Sequence, residues 1–116
     1  MISTLLTLLV GSVYLMSPQI ASGGVVVYDV SLFSKLQLYT SDLSHQLTYR
    51  LHTSEDSNDF QPTVSSLSGN IVFVSDRSGD AELFQLSPTG RFLTQLTDND
   101  HDDLYPQWSP DGSMIL

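Results

Sequence analysis

The sequence predicts an all-β fold of four-stranded antiparallel meanders placed one after another along the chain. The first reason is that the chain matches itself. Leu38-Tyr39 and Leu51 align with Leu83-Phe84 and Leu96 at an offset of 45 residues, and Asp59, Pro62, Ser65 and Ile71 align with Asp103, Pro106, Ser109 and Ile115 at an offset of 44. A self-similarity of roughly 40–45 residues with about four strands per unit is the period of a β-propeller blade. The second reason is that short β-forming segments alternate with turns that end in glycine, at Asp76–Gly79, Ser87–Gly90 and Ser109–Gly112.

The elements divide the chain into four parts. Residues 1–23 read as an export signal: Met1 to Tyr28 carry no charged side chain, and Leu5 to Met16 form an apolar run too short to span a bilayer. Small residues follow from Ala21 to Gly24, which places cleavage after Ser22 or Gly23, although no basic residue precedes the apolar run. Residues 24–60 read as a degenerate, partial blade. Val25–Val30 stands where a second strand belongs, Ser31–Ser34 replaces a turn signature, His45 occupies the position of Gly90, and no first strand is recognisable. The missing inner strand is expected from elsewhere, such as the far end of a longer protein.

Residues 61–104 read as one complete blade. Gln61–Ser65 is its inner strand, Ile71–Ser75 the next, Glu82–Leu86 the third and Arg91–Leu96 the outer one. Ile71, Phe73 and Ser75 face one side and Val72 and Val74 the other, so the second strand is apolar on both faces and sits between neighbours. Residues 105–116 begin a further blade. Ser109-Pro110-Asp111-Gly112 forms its first hairpin turn, with Pro at the φ near −65° position, Asp bonding its own backbone and Gly supplying positive φ. One complete blade and two partial ones cannot close a ring, and arrays need at least about three units. The chain therefore reads as the leading piece of a longer propeller, and its open edges predict self-association.

Composition excludes several functions. The chain has 116 residues, a formal net charge of −9 and four basic residues, Lys35, Arg50, Arg77 and Arg91, which do not cluster. Nucleic acid and anionic membrane surfaces are disfavoured, and contact with a membrane is expected only through an uncleaved N-terminal segment. There is no cysteine, hence no disulfide and no thiolate site. No G-x-S-x-G, S-x-x-K or Gly-rich phosphate loop occurs, so the chain is read as non-catalytic and without a cofactor.

The second unit resembles the WD40-like PD40 repeats of the TolB family. The residues that carry the resemblance are Ile71-Val72-Phe73, Ser75-Asp76-Arg77-Ser78-Gly79, Glu82-Leu83-Phe84, Leu96-Thr97, Asp102-Asp103, Tyr105-Pro106 and Trp108-Ser109-Pro110-Asp111-Gly112. The resemblance covers about Val25 to Leu116 and implies a propeller exported to the periplasm or cell surface, acting as a platform for other envelope or secreted proteins. The repeats here begin straight after the N-terminal segment, with no room for the α/β domain of the Tol–Pal member. Similar repeats form the propeller of prolyl-oligopeptidase and dipeptidyl-peptidase-like serine peptidases, which is the alternative reading.

Several residues could carry chemistry. Asp98, Asp100, Asp102 and Asp103 lie in one acidic loop with oxygens that suit a hard cation such as Ca²⁺, but without EF-hand order. The equivalent loop around Asp56 and Asp59 is acidic too, which favours a structural role repeated in each unit. Asp76, Arg77 and Gly79 read as a turn or inter-blade contact, and Trp108 as packing between blades. Asp103, Pro106, Pro110, Asp111 and Gly112 complete the structural signature. His45, His52 and His101 lack zinc-site spacing.

Overall fold

The computed structural model describes residues 19–20, 25–32, 35–42, 47–51 and 56–116. Among them every regular element is a strand: β1 (Gln19–Ile20), β2 (Val25–Leu32), β3 (Lys35–Asp42), β4 (Leu47–Arg50), β5 (Asp59–Val64), β6 (Ile71–Ser75), β7 (Glu82–Leu86) and β8 (Leu93–Gln95). They form two four-stranded antiparallel sheets, in the orders β1-β2-β3-β4 and β5-β6-β7-β8. Chain order equals spatial order in both, which is the meander the repeat predicts.

β6 and β7 fall where the sequence puts them. The other bounds shift, and each shift has a local cause. β8 is shorter than Arg91–Leu96 because Phe92 belongs to the preceding turn, where its carbonyl accepts from Ser87 N–H at 2.9 Å and its N–H donates to Ser87 Oγ at 3.1 Å. β5 begins at Asp59, two residues before the expected Gln61. Its register slips between Phe60 and Thr63, so one extra residue bulges out beside Pro62. A proline has no N–H to give a ladder and is housed at such an irregularity.

The first sheet has four strands, where the sequence reading recognises no first strand for residues 24–60, and β1 is the added edge strand beside β2: Gln19 pairs with Val27 and Ile20 with Val26. The first sheet thus starts inside the segment assigned to export. An uncharged stretch meets the needs of a strand as well as those of an export signal, and β2 has an edge to be paired. The apolar run 5–16 and the cleavage positions lie outside the described residues. Where Ser31–Ser34 departs from the turn signature, the ladder between β2 and β3 runs on to Leu32 opposite Lys35.

The 105–116 hairpin forms as expected. Trp108 bridges Ile115, Gln107 and Leu116 exchange N–H···O bonds of 3.1 and 2.7 Å, and Ser109 N–H donates to Met114 O at 2.8 Å. Gly112, at φ 71°, donates its N–H to Ser109 O at 2.9 Å and closes the turn.

Val27, Leu38 and Leu51 from the first sheet meet Ile71, Phe73, Phe84 and Leu86 from the second in one cluster, against which Val64 packs. Every residue of β6 is buried, Val72 and Val74 on its other face included. The rings of Phe73 and Phe84, paired across β6 and β7, stack with centroids 6.1 Å apart. β8 is exposed throughout, as an outermost strand should be. Burying side chains of this size contributes about 1.5–3 kcal/mol each, and β6 is the most completely buried strand of the second sheet.

Candidate functional site

The polar signature gathers where the turn after β6 and the segments before β5 and after β8 come together. Asp76 clamps the segment that leads into β5. Its Oδ1 accepts from Asn58 N–H at 2.8 Å and its Oδ2 from Asn58 Nδ2 at 2.7 Å. Asn58 Oδ1 in turn accepts from Leu36 N–H at 3.0 Å, which ties the first sheet to the clamp. Gly79 closes the turn with N–H donated to Asp76 O at 3.1 Å, at φ 126°.

Arg77 makes a second anchor. Its Nη2 donates to Asp59 Oδ1 at 2.8 Å and its Nε to Ser75 Oγ at 2.8 Å. The guanidinium lies over Phe84, 4.8 Å from the centroid, and over Phe73 at 5.6 Å. Asp59 is fully buried at the start of β5, and its Oδ2 has no hydrogen-bond partner among the described residues. Asp76 and Arg77 therefore build the turn and its contact with the adjoining segment.

The acidic loop is divided between the fold and solvent. Asp102 Oδ1 accepts from Ala81 N–H at 3.0 Å, and Asp103 Oδ2 from Asn99 Nδ2 at 2.7 Å. Hydrogen bonds from Asn99 and then Thr97 hold the Asp103 carboxyl below the usual carboxylate range, and burial opposes them. Asp98 and Asp100 are exposed. Among the described residues no three acidic or imidazole side chains converge on one point that could hold a metal ion.

Pro106 is buried beside Tyr105, and Trp108 is half-buried, with a buried indole N–H that has no partner among the described residues. At the other end of the sheets, Asp111 Oδ1 takes Ser109 Oγ–H at 2.6 Å, Ser113 Oγ–H at 2.7 Å and Ser113 N–H at 3.0 Å. Those three bonds, Ser109's foremost, lower the Asp111 carboxyl to a pKa of about 2. Pro110 is exposed at the tip, and Gly112 leaves 3.2 Å between a would-be Cβ and the Leu67 methyl of the preceding unit.

Two residues that matter here have no polar role assigned from the sequence: Glu82 stands only within the repeat signature, and Gln37 stands outside it. Glu82 is fully buried; its Oε1 accepts from Asn99 N–H at 2.7 Å and its Oε2 from Thr97 Oγ–H. Gln37, 45 residues earlier, is also buried and donates its Nε2–H to Ser57 O at 3.0 Å. The signal was present in the repeat alignment, which sets Gln37 against Glu82 and Asn58 against Asp102.

No family model matches the chain. A TolB homolog from Chlorobium luteolum is 43% identical over 51 residues, which is 44% of this chain and 12% of that protein. An uncharacterised peptidase, YuxL of Bacillus subtilis, is 45% identical over 47 residues, 40% of this chain and 7% of that one. Among solved structures, one assigned as TolB from Agrobacterium tumefaciens superposes with a TM-score of 0.79 over 90% of this chain, at 22% identity. The fold is that of a TolB-like propeller. TolB from Acinetobacter baumannii agrees, with a TM-score of 0.73 at 20% identity over 89% of this chain. The chain spans 37% and 26% of those two TolB-like structures.

Proposed function

We propose that this TolB-like chain is a non-catalytic interaction module of the cell envelope or periplasm, presenting loops on rigid sheets to other proteins. The observation that carries it is the division of labour among the polar residues. Asp59, Arg77, Asp76, Asn58 and Glu82 are committed to neighbouring side chains and to backbone, while Asp98 and Asp100 in the loop after β8 face solvent. Rigid elements that carry exposed loops are suited to recognition, and a net charge of −9 selects basic or neutral partners.

The peptidase alternative draws on the 47-residue match to YuxL. The TolB homolog matches a stretch of similar length at similar identity, so that likeness reports the repeat rather than a reaction.

A photo-crosslinking residue at position 100, introduced into the full chain in its native host, tests the reading together with cell fractionation. Recovery from the envelope or periplasm, with a discrete crosslinked protein that a charge-reversed loop (Asp98→Lys, Asp100→Lys) abolishes, is the expected result. A cytoplasmic chain without such a crosslink, or hydrolysis of a peptide library by the purified chain, overturns it.

A further inference from the structure

Among the described residues, Gln61 and Tyr105 are the two non-glycine residues with positive φ, at 51° and 56°. They stand one repeat apart, 44 residues, and a buried proline follows each, Pro62 and Pro106. Left-handed backbone costs a residue with a side chain about 1–3 kcal/mol and persists only where the surroundings hold it. Here the holder at both positions is a side-chain oxygen from the preceding unit. Gln61 N–H donates to Asp29 Oδ2 at 2.7 Å, and Tyr105 N–H donates to Gln61 Oε1 at 2.8 Å. Asp29 lies on β2 and is buried. Gln61 is therefore held through its main chain by the first sheet, and through its side chain it holds the start of the third unit.

We propose that Gln61 is a positioning residue that couples successive units. Its left-handed backbone, fixed by Asp29, aims the carboxamide at Tyr105 and so orders residues 105–116 relative to the first sheet. The coupling requires two things of position 61, a positive φ and a side-chain oxygen at carboxamide length. Glycine meets the first requirement without strain and lacks the second; glutamate keeps the oxygen.

Amide hydrogen exchange on the full chain separates these requirements. Gln61→Gly should speed exchange at Tyr105 about tenfold, the loss of one net hydrogen bond, while Val72 and Phe84 in β6 and β7 keep their protection. Gln61→Glu should leave Tyr105 protected. In Asp29→Ala, Tyr105 should also exchange faster although its own acceptor is intact. Unchanged protection of Tyr105 in Gln61→Gly overturns the proposal. So does equal loss in Gln61→Glu, or loss at Val72 and Phe84 together with Tyr105, which would make Gln61 a residue of the sheet alone. Unchanged Tyr105 exchange in Asp29→Ala shows two independent bonds and overturns the coupling.

Discussion

Replacing Arg77 by alanine removes the cation that faces a carboxylate buried to 0% exposure, Asp59. One oxygen of Asp59 already has no hydrogen-bond partner among the described residues, so nothing on that side compensates. Breaking a buried pair by removing one partner costs about 3–5 kcal/mol. The guanidinium also sits 4.8 Å above the Phe84 ring, and a partly desolvated contact of that kind adds about 1 kcal/mol. Together the loss is about 4–6 kcal/mol, against the roughly 5–15 kcal/mol of stability typical of a whole domain. The double variant Arg77→Met, Asp59→Leu should recover most of it, since replacing both charges by apolar groups is often neutral. Urea unfolding of the full chain, followed by far-ultraviolet circular dichroism and by the fluorescence of Trp108, measures both. A loss below about 1 kcal/mol for Arg77→Ala, the range of exposed pairs, would refute the argument, as would a double variant no more stable than the single one.

Three further outcomes follow from other parts of the structure. Phe73→Ala empties a site of 0% exposure at the centre of the shared core and should cost about 3–5 kcal/mol in the same unfolding experiment. At Gly79, φ is 126° with open space around a would-be Cβ, whereas at Gly69, φ is 77° and that Cβ would meet Pro88 Cγ at 3.2 Å. Alanine at either position lowers the melting temperature, at Gly79 because φ lies beyond the left-handed well a side chain can occupy and at Gly69 because crowding against Pro88 adds to left-handed strain. Asp111 has its pKa depressed from 3.8 to about 2 by hydroxyl and amide donors. A depressed carboxylate stabilises the fold above its ordinary value, and that contribution disappears as the pH falls from 3.8 through 2. Ser109→Ala should raise the Asp111 titration seen by carboxyl carbon NMR, and an unchanged midpoint would count against the assigned cause.

What the sequence reveals and what it hides differ by the kind of force involved. The turns are legible because only a few residue types meet their backbone demands, and Gly79, Gly90 and Gly112 all take positive φ. β6 is legible because five consecutive buried positions leave no polar face to misread. β1 is hidden because two residues in an uncharged stretch suit an export segment as well as a strand. The clasp residues are hidden for another reason. Gln37, Asn58 and Glu82 look like ordinary polar residues of strands and loops, and only their partners, 15 to 22 residues away, give them a role. The left-handed Gln61 and Tyr105 escape notice because glutamine and tyrosine carry no mark of that conformation.

The two sheets share one strand order, yet their third strands speak opposite chemical languages to the segments that follow them. Gln37 offers a hydrogen to the carbonyl of Ser57, whereas Glu82 offers lone pairs to the amide of Asn99. A segment exchanged between the units would set the Ser57 carbonyl against the Glu82 carboxylate, two acceptors with no hydrogen between them, whereas the Gln37 carboxamide, which carries an oxygen as well as N–H groups, can meet a donor. The mismatch is one-sided: the second unit's third strand, ending its polar contact in a carboxylate, accepts only a following segment that brings an N–H or O–H to Glu82.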